Sequence, residues 1–192
     1  MSTDELDRLV AELKSMPTPP WHDFALMRAL SAEPDPRMIM PEGVAVEPVD
    51  DNGIKGEWLV PEGAGDGVLF YAHGGGYCVC SPATHRHMIA ALAKAAGVRA
   101  FSLDYRLAPE APYPAAVEDA IRAANWLADG GADSRRTVFG GDSAGAGLVM
   151  ATLISLRDRG ERLPAGAIAL CPWVDLSMSE ETFARYKYDT PL

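Results

Sequence analysis

Ser143 stands in Gly140-Gly141-Asp142-Ser143-Ala144-Gly145, between the apolar run "TVF" and a stretch with helical periodicity. With Gly141 and Gly145 two residues to either side, it fits the G-x-S-x-G turn, a strand-to-helix corner that exposes a hydroxyl able to attack an electrophilic carbon. Glycine is required there because a side chain two residues before or after would collide with the neighbouring strand or helix. The helix amino terminus behind the serine offers free N–H groups and a positive dipole end to a developing anion. The competing reading is a glycine-rich turn that cradles phosphate. Neither phosphate template fits: no Gly-Lys-Ser/Thr follows, and Met150 stands where a G-x-G-x-x-G begun at Gly145 needs its last glycine.

Upstream, "YAHGGGYCVC" ends an apolar strand with His73-Gly74-Gly75-Gly76. Three consecutive glycines cost much conformational entropy on folding, so a plain connecting loop rarely uses them. Bare backbone N–H groups aimed into a cleft are what an oxyanion hole needs, and the N–H of Ala144, after the nucleophile, completes such a set.

"HGGGY", "SLDYRLAPE" (102–110), "GDSAG" and "CPWVDLS" (171–177), in this order and spacing, resemble the hormone-sensitive-lipase-like esterases of the α/β-hydrolase superfamily. The resemblance runs from about residue 40 to the last residue, and the amino-terminal helices look like that family's substrate cap. It implies an α/β-hydrolase fold and a carboxylic ester hydrolase acting on a small-molecule ester of short acyl chain, without cofactor or metal. It further implies Ser143 as nucleophile, Gly75, Gly76 and Ala144 as oxyanion donors with Gly74 in the same loop, and His73, Gly141, Asp142 and Gly145 as residues that shape the motifs. Asp104, Arg106 and Glu110 could form a charged cluster, but they read more simply as pins for the loop after a buried strand, which is also their part in the family. Two departures are visible: Ala146 and Cys80 stand where the family usually has glycine.

Acyl transfer by serine needs a general base, and in this fold the order along the chain is Ser, then Asp or Glu, then His. The sequence has four histidines, His22, His73, His85 and His87, and all precede Ser143. His85 and His87 fall in the first turns of a helix with Ser81 as N-cap and Pro82 at N1, which suggests surface or cap contacts. Asp175, in "PWVDLS", reads as a loop carboxylate capping backbone N–H groups. Without the histidine, turnover falls by about 10⁶ and leaves roughly 10³–10⁴ over water, so the chain alone is expected to be nearly inactive. The expectation is a fragment lacking about a hundred residues with two further βα units, or less simply a split or strand-exchanged dimer. The alternative function is a non-catalytic small-molecule-binding protein on the same fold.

The elements that must position these groups follow from patterning. Ser2 and Glu5 form a capping box ahead of Leu6, Leu9, Val10, Leu13 and Met16, and "DFALMRAL" continues the helical pattern, giving a helical cap over residues 1–40 and an incomplete core over 41–192. "GVAVEPV" and "IKGEWLV" flank Asn52-Gly53, a hairpin turn signal. "GVLFYAH", "VRAFSLD", "RTVFGGD" and "GAIALCPW" then alternate with helical stretches, each with a glycine near its end, which predicts a mostly parallel, doubly wound sheet behind the antiparallel pair. Ending on "GAIALCPW" leaves a buried-type strand at one edge, a route to homo-oligomers.

The 192 residues suffice for one core, and a net charge of −10 argues against nucleic-acid or anionic-membrane partners. The first residues carry neither a basic nor an apolar signal region, and Cys78, Cys80 and Cys171 lack disulfide or metal-ligand spacing, so a cytoplasmic location with the cysteines as small core residues is expected.

Overall fold

The computed structural model describes residues 3–15, 20, 22–32 and 38–177. Two compact units divide the chain, one of residues 24–174 and the other of 1–23 with 175–192. In the smaller unit α1 (Thr3–Ser15) has Asp4 and Glu5 in its first turn and Lys14 in its last, both favourable to the helix dipole. The Ser2 end of the expected capping box, Met16, and the segments 17–19 and 178–192 lie outside the described residues.

The larger unit opens with α2 (Phe24–Ala32) and a hairpin of β1 (Val44–Asp51) and β2 (Ile54–Pro61). Asn52 and Gly53 both take positive φ, +50° and +78°, the requirement of a two-residue turn whose twist matches its strands. There follow β3 (Gly65–Ala72), α3 (Pro82–Ala96), β4 (Val98–Leu103), α4 (Ala115–Asp129), β5 (Thr137–Asp142), α5 (Ser143–Asp158) and β6 (Gly166–Leu170). The sheet order is β1-β2-β4-β3-β5-β6, with β1, β2 and β4 antiparallel in succession and β4, β3, β5 and β6 parallel. Ser81 caps α3 and Pro82 is its first residue, as read from the sequence, and Gly97 closes it at φ +63°.

Side chains alternate across the sheet and give two cores. On one face Val68, Phe70, Phe101 and Phe139 pack with Ala120, Ile121 and Leu127 of α4 and Leu148, Val149 and Leu156 of α5. On the other, Leu59, Leu69, Tyr71 and Ala100 meet Ile89, Ala90 and Ala93 of α3. The face under α3 also carries a polar row near the carboxyl ends of the parallel strands. Glu57, Ser102, Tyr71 and Gly140 are in register on β2, β4, β3 and β5. Arg86 of α3 closes one end with a two-pronged ion pair to buried Glu57, at 2.9 and 2.7 Å.

The cysteines depart from expectation. Cys78 and Cys80 are half-buried, and Cys171 is exposed in the loop after β6 at φ +45°, so it is no core residue. The β6 residues are exposed throughout, with Ile168 at 50%, because β6 is the edge strand on its side among the described residues.

Removing Arg86 strands the Glu57 carboxylate under α3. Arg86→Met should cost about 2 kcal/mol in urea unfolding, below the roughly 3–5 of a fully buried pair because Arg86 is partly exposed, and more than Glu57→Gln in the same assay.

Candidate active site

β5 runs directly into α5, and the corner between them is a contact of backbone with backbone. A Cβ on Gly145 would lie 2.1 Å from the Ala72 carbonyl oxygen and 2.4 Å from that of His73, and one on Gly141 would lie 2.6 Å from the Gly145 carbonyl carbon. Only glycine fits at either place. The chain turns into the helix at Ser143, which takes φ +51° and is exposed between buried Gly141 and Ala144. Its carbonyl accepts the Trp173 N–H at 3.0 Å, so the loop after β6 also fastens the corner. Nothing in the sequence marks Trp173 for this, since any residue but proline supplies an N–H.

The 73–80 loop leaves β3 beside this corner. Gly75 and Gly76 take φ +115° and +61°, and the Gly75 carbonyl accepts the N–H groups of Cys78 and Val79 at 3.0 and 2.9 Å. Among the described residues no hydrogen bond takes up the N–H of Gly75 or Gly76. Gly74 differs. Its N–H donates to Asp142 Oδ1 at 3.0 Å, so it anchors the loop and is not free to meet an oxyanion. Cys80 ends the loop at φ +68°, a region where glycine is at ease, which gives physical content to its departure from the family pattern. Ala146, the other departure, is helical and fully buried.

Two histidines flank the loop and meet opposite fates. His73 is fully buried, stacks on Tyr105 at 4.3 Å and donates from Nδ1 to the Gly74 carbonyl at 2.7 Å, while its own carbonyl accepts the Tyr105 hydroxyl. Burial pushes its pKa down to about 4, against the raising effect of the Gly74 bond, so the ring is neutral near pH 7. His85 makes the cap contact that its place in α3 suggested, to Thr84, and reaches a strand end besides. Its ring, 16% exposed, sets Nε2 3.4 Å from Asp142 Oδ2 and Nδ1 2.8 Å from Thr84 Oγ1. Both nitrogens of His85 are thus occupied, and none of His73, His85 and His87 hydrogen-bonds Ser143 among the described residues.

Asp142 joins these parts. Oδ1 accepts Gly74 N–H and the Tyr71 hydroxyl, the latter at 3.1 Å, and Oδ2 faces His85. Tyr71 reaches across β5 because Gly140 leaves room: a Cβ there would sit 3.1 Å from the Tyr71 ring. Burial opposes ionisation of Asp142, but the bonds and charge from His85, with Tyr71 and Gly74, outweigh it and hold the carboxyl below the usual range.

Two members of the charged cluster of 104–110, Arg106 and Glu110, are engaged in ion pairs with neighbouring elements. Arg106 grips Asp119 with Nε at 2.9 and 3.0 Å and Nη2 at 2.8 Å. Glu110 receives both prongs of Arg28, at 2.9 Å each, and Arg28 also donates to the carbonyls of Cys78 and Ala108. Arg28 therefore ties α2 to the glycine loop, a link that the sequence did not signal. Asp175 accepts the N–H and hydroxyl of Ser177, as its loop position suggested. Among the described residues no acidic, histidine and cysteine side chains cluster as a metal site, and no helix is long and apolar enough to cross a membrane.

Residues 69–192 match a family described as alpha/beta hydrolase fold. An acetyl-hydrolase of Streptomyces hygroscopicus is 48% identical over 121 residues, 63% of this chain and 40% of that protein. An esterase of Acinetobacter venetianus is 31% identical over 139 residues, 72% of this chain and 46% of its own. Among solved structures, an esterase from the bacterial hormone-sensitive lipase family superposes with a TM-score of 0.88 at 40% identity, covering 100% of this chain and 65% of that one. A hormone-sensitive lipase from a metagenome library gives 0.90 at 33% identity, covering 100% and 64%. The chain thus spans less than half the length of these two curated relatives and about two thirds of the solved ones.

Two outcomes follow from the geometry. Gly145→Ala should destabilise by about 3 kcal/mol or more, or prevent folding, whereas Gly76→Ala, whose Cβ meets nothing, should cost about 1 kcal/mol for its positive φ alone, both read by chemical denaturation. Asp142 is held below its unfolded value, so its share of stability is present above about pH 4 and is lost as pH falls through the depressed value. Unfolding free energy measured from pH 6 to pH 2 should fall less steeply in Asp142→Asn than in the parent.

Proposed function

The chain belongs to the alpha/beta hydrolase fold family matched by its residues 69–192, and from that membership we propose that it carries the nucleophile and oxyanion donors of a carboxylic ester hydrolase. The observation that carries the reading is the exposed Ser143 at φ +51°, on a glycine-bound corner beside a loop whose Gly75 and Gly76 N–H groups have no partner among the described residues. Ser143 Oγ attacks the ester carbonyl, and the negative charge that develops on oxygen is met by the N–H groups of Gly75, Gly76 and Ala144. The alcohol leaves, and water then releases the acid from the acyl-serine. The names of the relatives, an acetyl-hydrolase and an esterase, support short acyl esters as the substrate class.

The step these residues do not supply is removal of the serine proton. His73 is buried, neutral and bonded at Nδ1 to its own loop, and His85 is engaged at both nitrogens. The chain alone should therefore hydrolyse esters at no more than about 10³–10⁴ over water, with the histidine's roughly 10⁶ contribution absent. The engagement of His73 and His85 away from Ser143 supports a second reading, a small-molecule-binding protein that holds an ester-like ligand at the oxyanion loop without turning it over.

A fluorophosphonate separates the two. It is applied to the 192-residue chain and to the same chain joined to the third of a matched esterase that it does not cover. The joined protein should gain one phosphonyl mass on Ser143 and hydrolyse p-nitrophenyl acetate, and Ser143→Ala should abolish both. Labelling elsewhere, or a folded joined protein that binds p-nitrophenyl acetate without labelling or turnover, would favour the binding reading. Rapid turnover by the 192-residue chain would refute the absence of a base.

A further inference from the structure

Asp142 directly precedes the nucleophile, and its carboxylate holds the residue that opens the glycine loop, so its orientation fixes one strand end against the other. We infer that His85 is a positioning residue for the oxyanion loop, acting through the Asp142 carboxylate that joins this loop to the nucleophile corner. The inference rests on the reading of Gly75 and Gly76 as oxyanion donors, while the contacts that support it stand on geometry alone.

The hydrogen on His85 Nε2 follows from its neighbours. Thr84 Oγ1 accepts the Ser81 N–H at 3.0 Å and lies 2.8 Å from both the Ser81 carbonyl and His85 Nδ1. If the hydroxyl donates to Nδ1, the neutral ring carries its hydrogen on Nε2. If it donates to Ser81 instead, Nδ1 donates to Thr84, and only a hydrogen on Nε2 as well keeps that nitrogen's lone pair from facing those of the carboxylate 3.4 Å away. In both arrangements an N–H points at Asp142 Oδ2.

That contact decides how the carboxylate is turned. With Oδ2 held by His85, Oδ1 is left for the Gly74 N–H and the Tyr71 hydroxyl. Gly74 is held at two points, its carbonyl by His73 Nδ1 at 2.7 Å and its N–H by Asp142, and of these only the Asp142 bond ties it to the nucleophile corner; a Cβ there would lie 2.2 Å from Asp142 Oδ2, so the carboxylate presses on bare backbone. Gly75 and Gly76 are the next residues in the chain, and a shift of Gly74 carries them with it. His85 itself is fixed from below by the capping turn of α3. The path runs from Ser81 and Thr84 through His85 and Asp142 to Gly74, and it sets the spacing between Ser143 and the donors without His85 touching a substrate.

The test uses amide resonances of the 192-residue chain in solution, with Gly53 and Gly97 as distant reporters. His85→Ala should speed hydrogen exchange at Gly74 by about tenfold or more and move the Gly75 and Gly76 signals, leaving Gly53 and Gly97 unchanged. His85→Gln, which keeps a donor at the place of Nε2, should restore most of the parent pattern, a rescue that a purely space-filling role would not show. Unchanged Gly74 exchange in His85→Ala overturns the inference, as does an equal acceleration at Gly74, Gly53 and Gly97 or a failure of Gln to rescue. These readouts need no ester hydrolysis, so a folded joined protein that fails to label at Ser143 refutes the esterase reading and leaves the Gly74 result to decide this one.

Discussion

Everything at the candidate site depends on one close approach, the first turn of α5 pressed against the carbonyls of Ala72 and His73. There is no room at Gly145 for a single carbon, so strand end and helix start meet as bare chains. That proximity forces Ser143 into the left-handed region and throws its hydroxyl outward, while Ala144 is buried behind it with the unfilled N–H of a first helical turn. The strain is local and is balanced by the packed helix beyond, where Leu148, Val149 and Leu156 are fully buried.

The parts of this arrangement that were legible in the sequence are those where the backbone makes a demand few residue types meet. Gly141 and Gly145, the Asn52-Gly53 turn and the Ser81-Pro82 helix start belong to that class and meet their steric demands in the structure, while in the run Gly74-Gly75-Gly76 the last two take positive φ and the first is tied to Asp142. What stayed hidden was the pairing of side chains far apart along the chain. Tyr71 and Asp142 are separated by 71 residues, Arg28 and Glu110 by 82, and neither member of either pair is unusual in its own surroundings. The helix position of His85 says where the backbone goes but not which strand end lies beneath. Cys171 was read by its type, and the edge strand it follows left it exposed.

The two histidines beside the glycine loop show how environment decides what one residue type does. His73 lies deep against Tyr105 and is kept neutral, so it serves as a wall and a single donor. His85 sits a few ångströms away, with ring centroids 5.6 Å apart, yet it faces a carboxylate and a hydroxyl. Placing both against the loop gives it one rigid apolar side and one polar anchored side.

The consecutive residues His85 and Arg86 reach different strands, the first Asp142 on β5 and the second Glu57 on β2. A helix turns by about 100° for each residue it slides, so a slip of one position removes both grips together. α3 is keyed to the sheet like a blank cut with two notches: misdocked arrangements lose both contacts at once, and no half-seated pose keeps one of them. Such pairing sharpens the choice among compact but wrong packings during folding, a form of selectivity that the apolar face of Ile89, Ala90 and Ala93, which tolerates sliding, cannot provide.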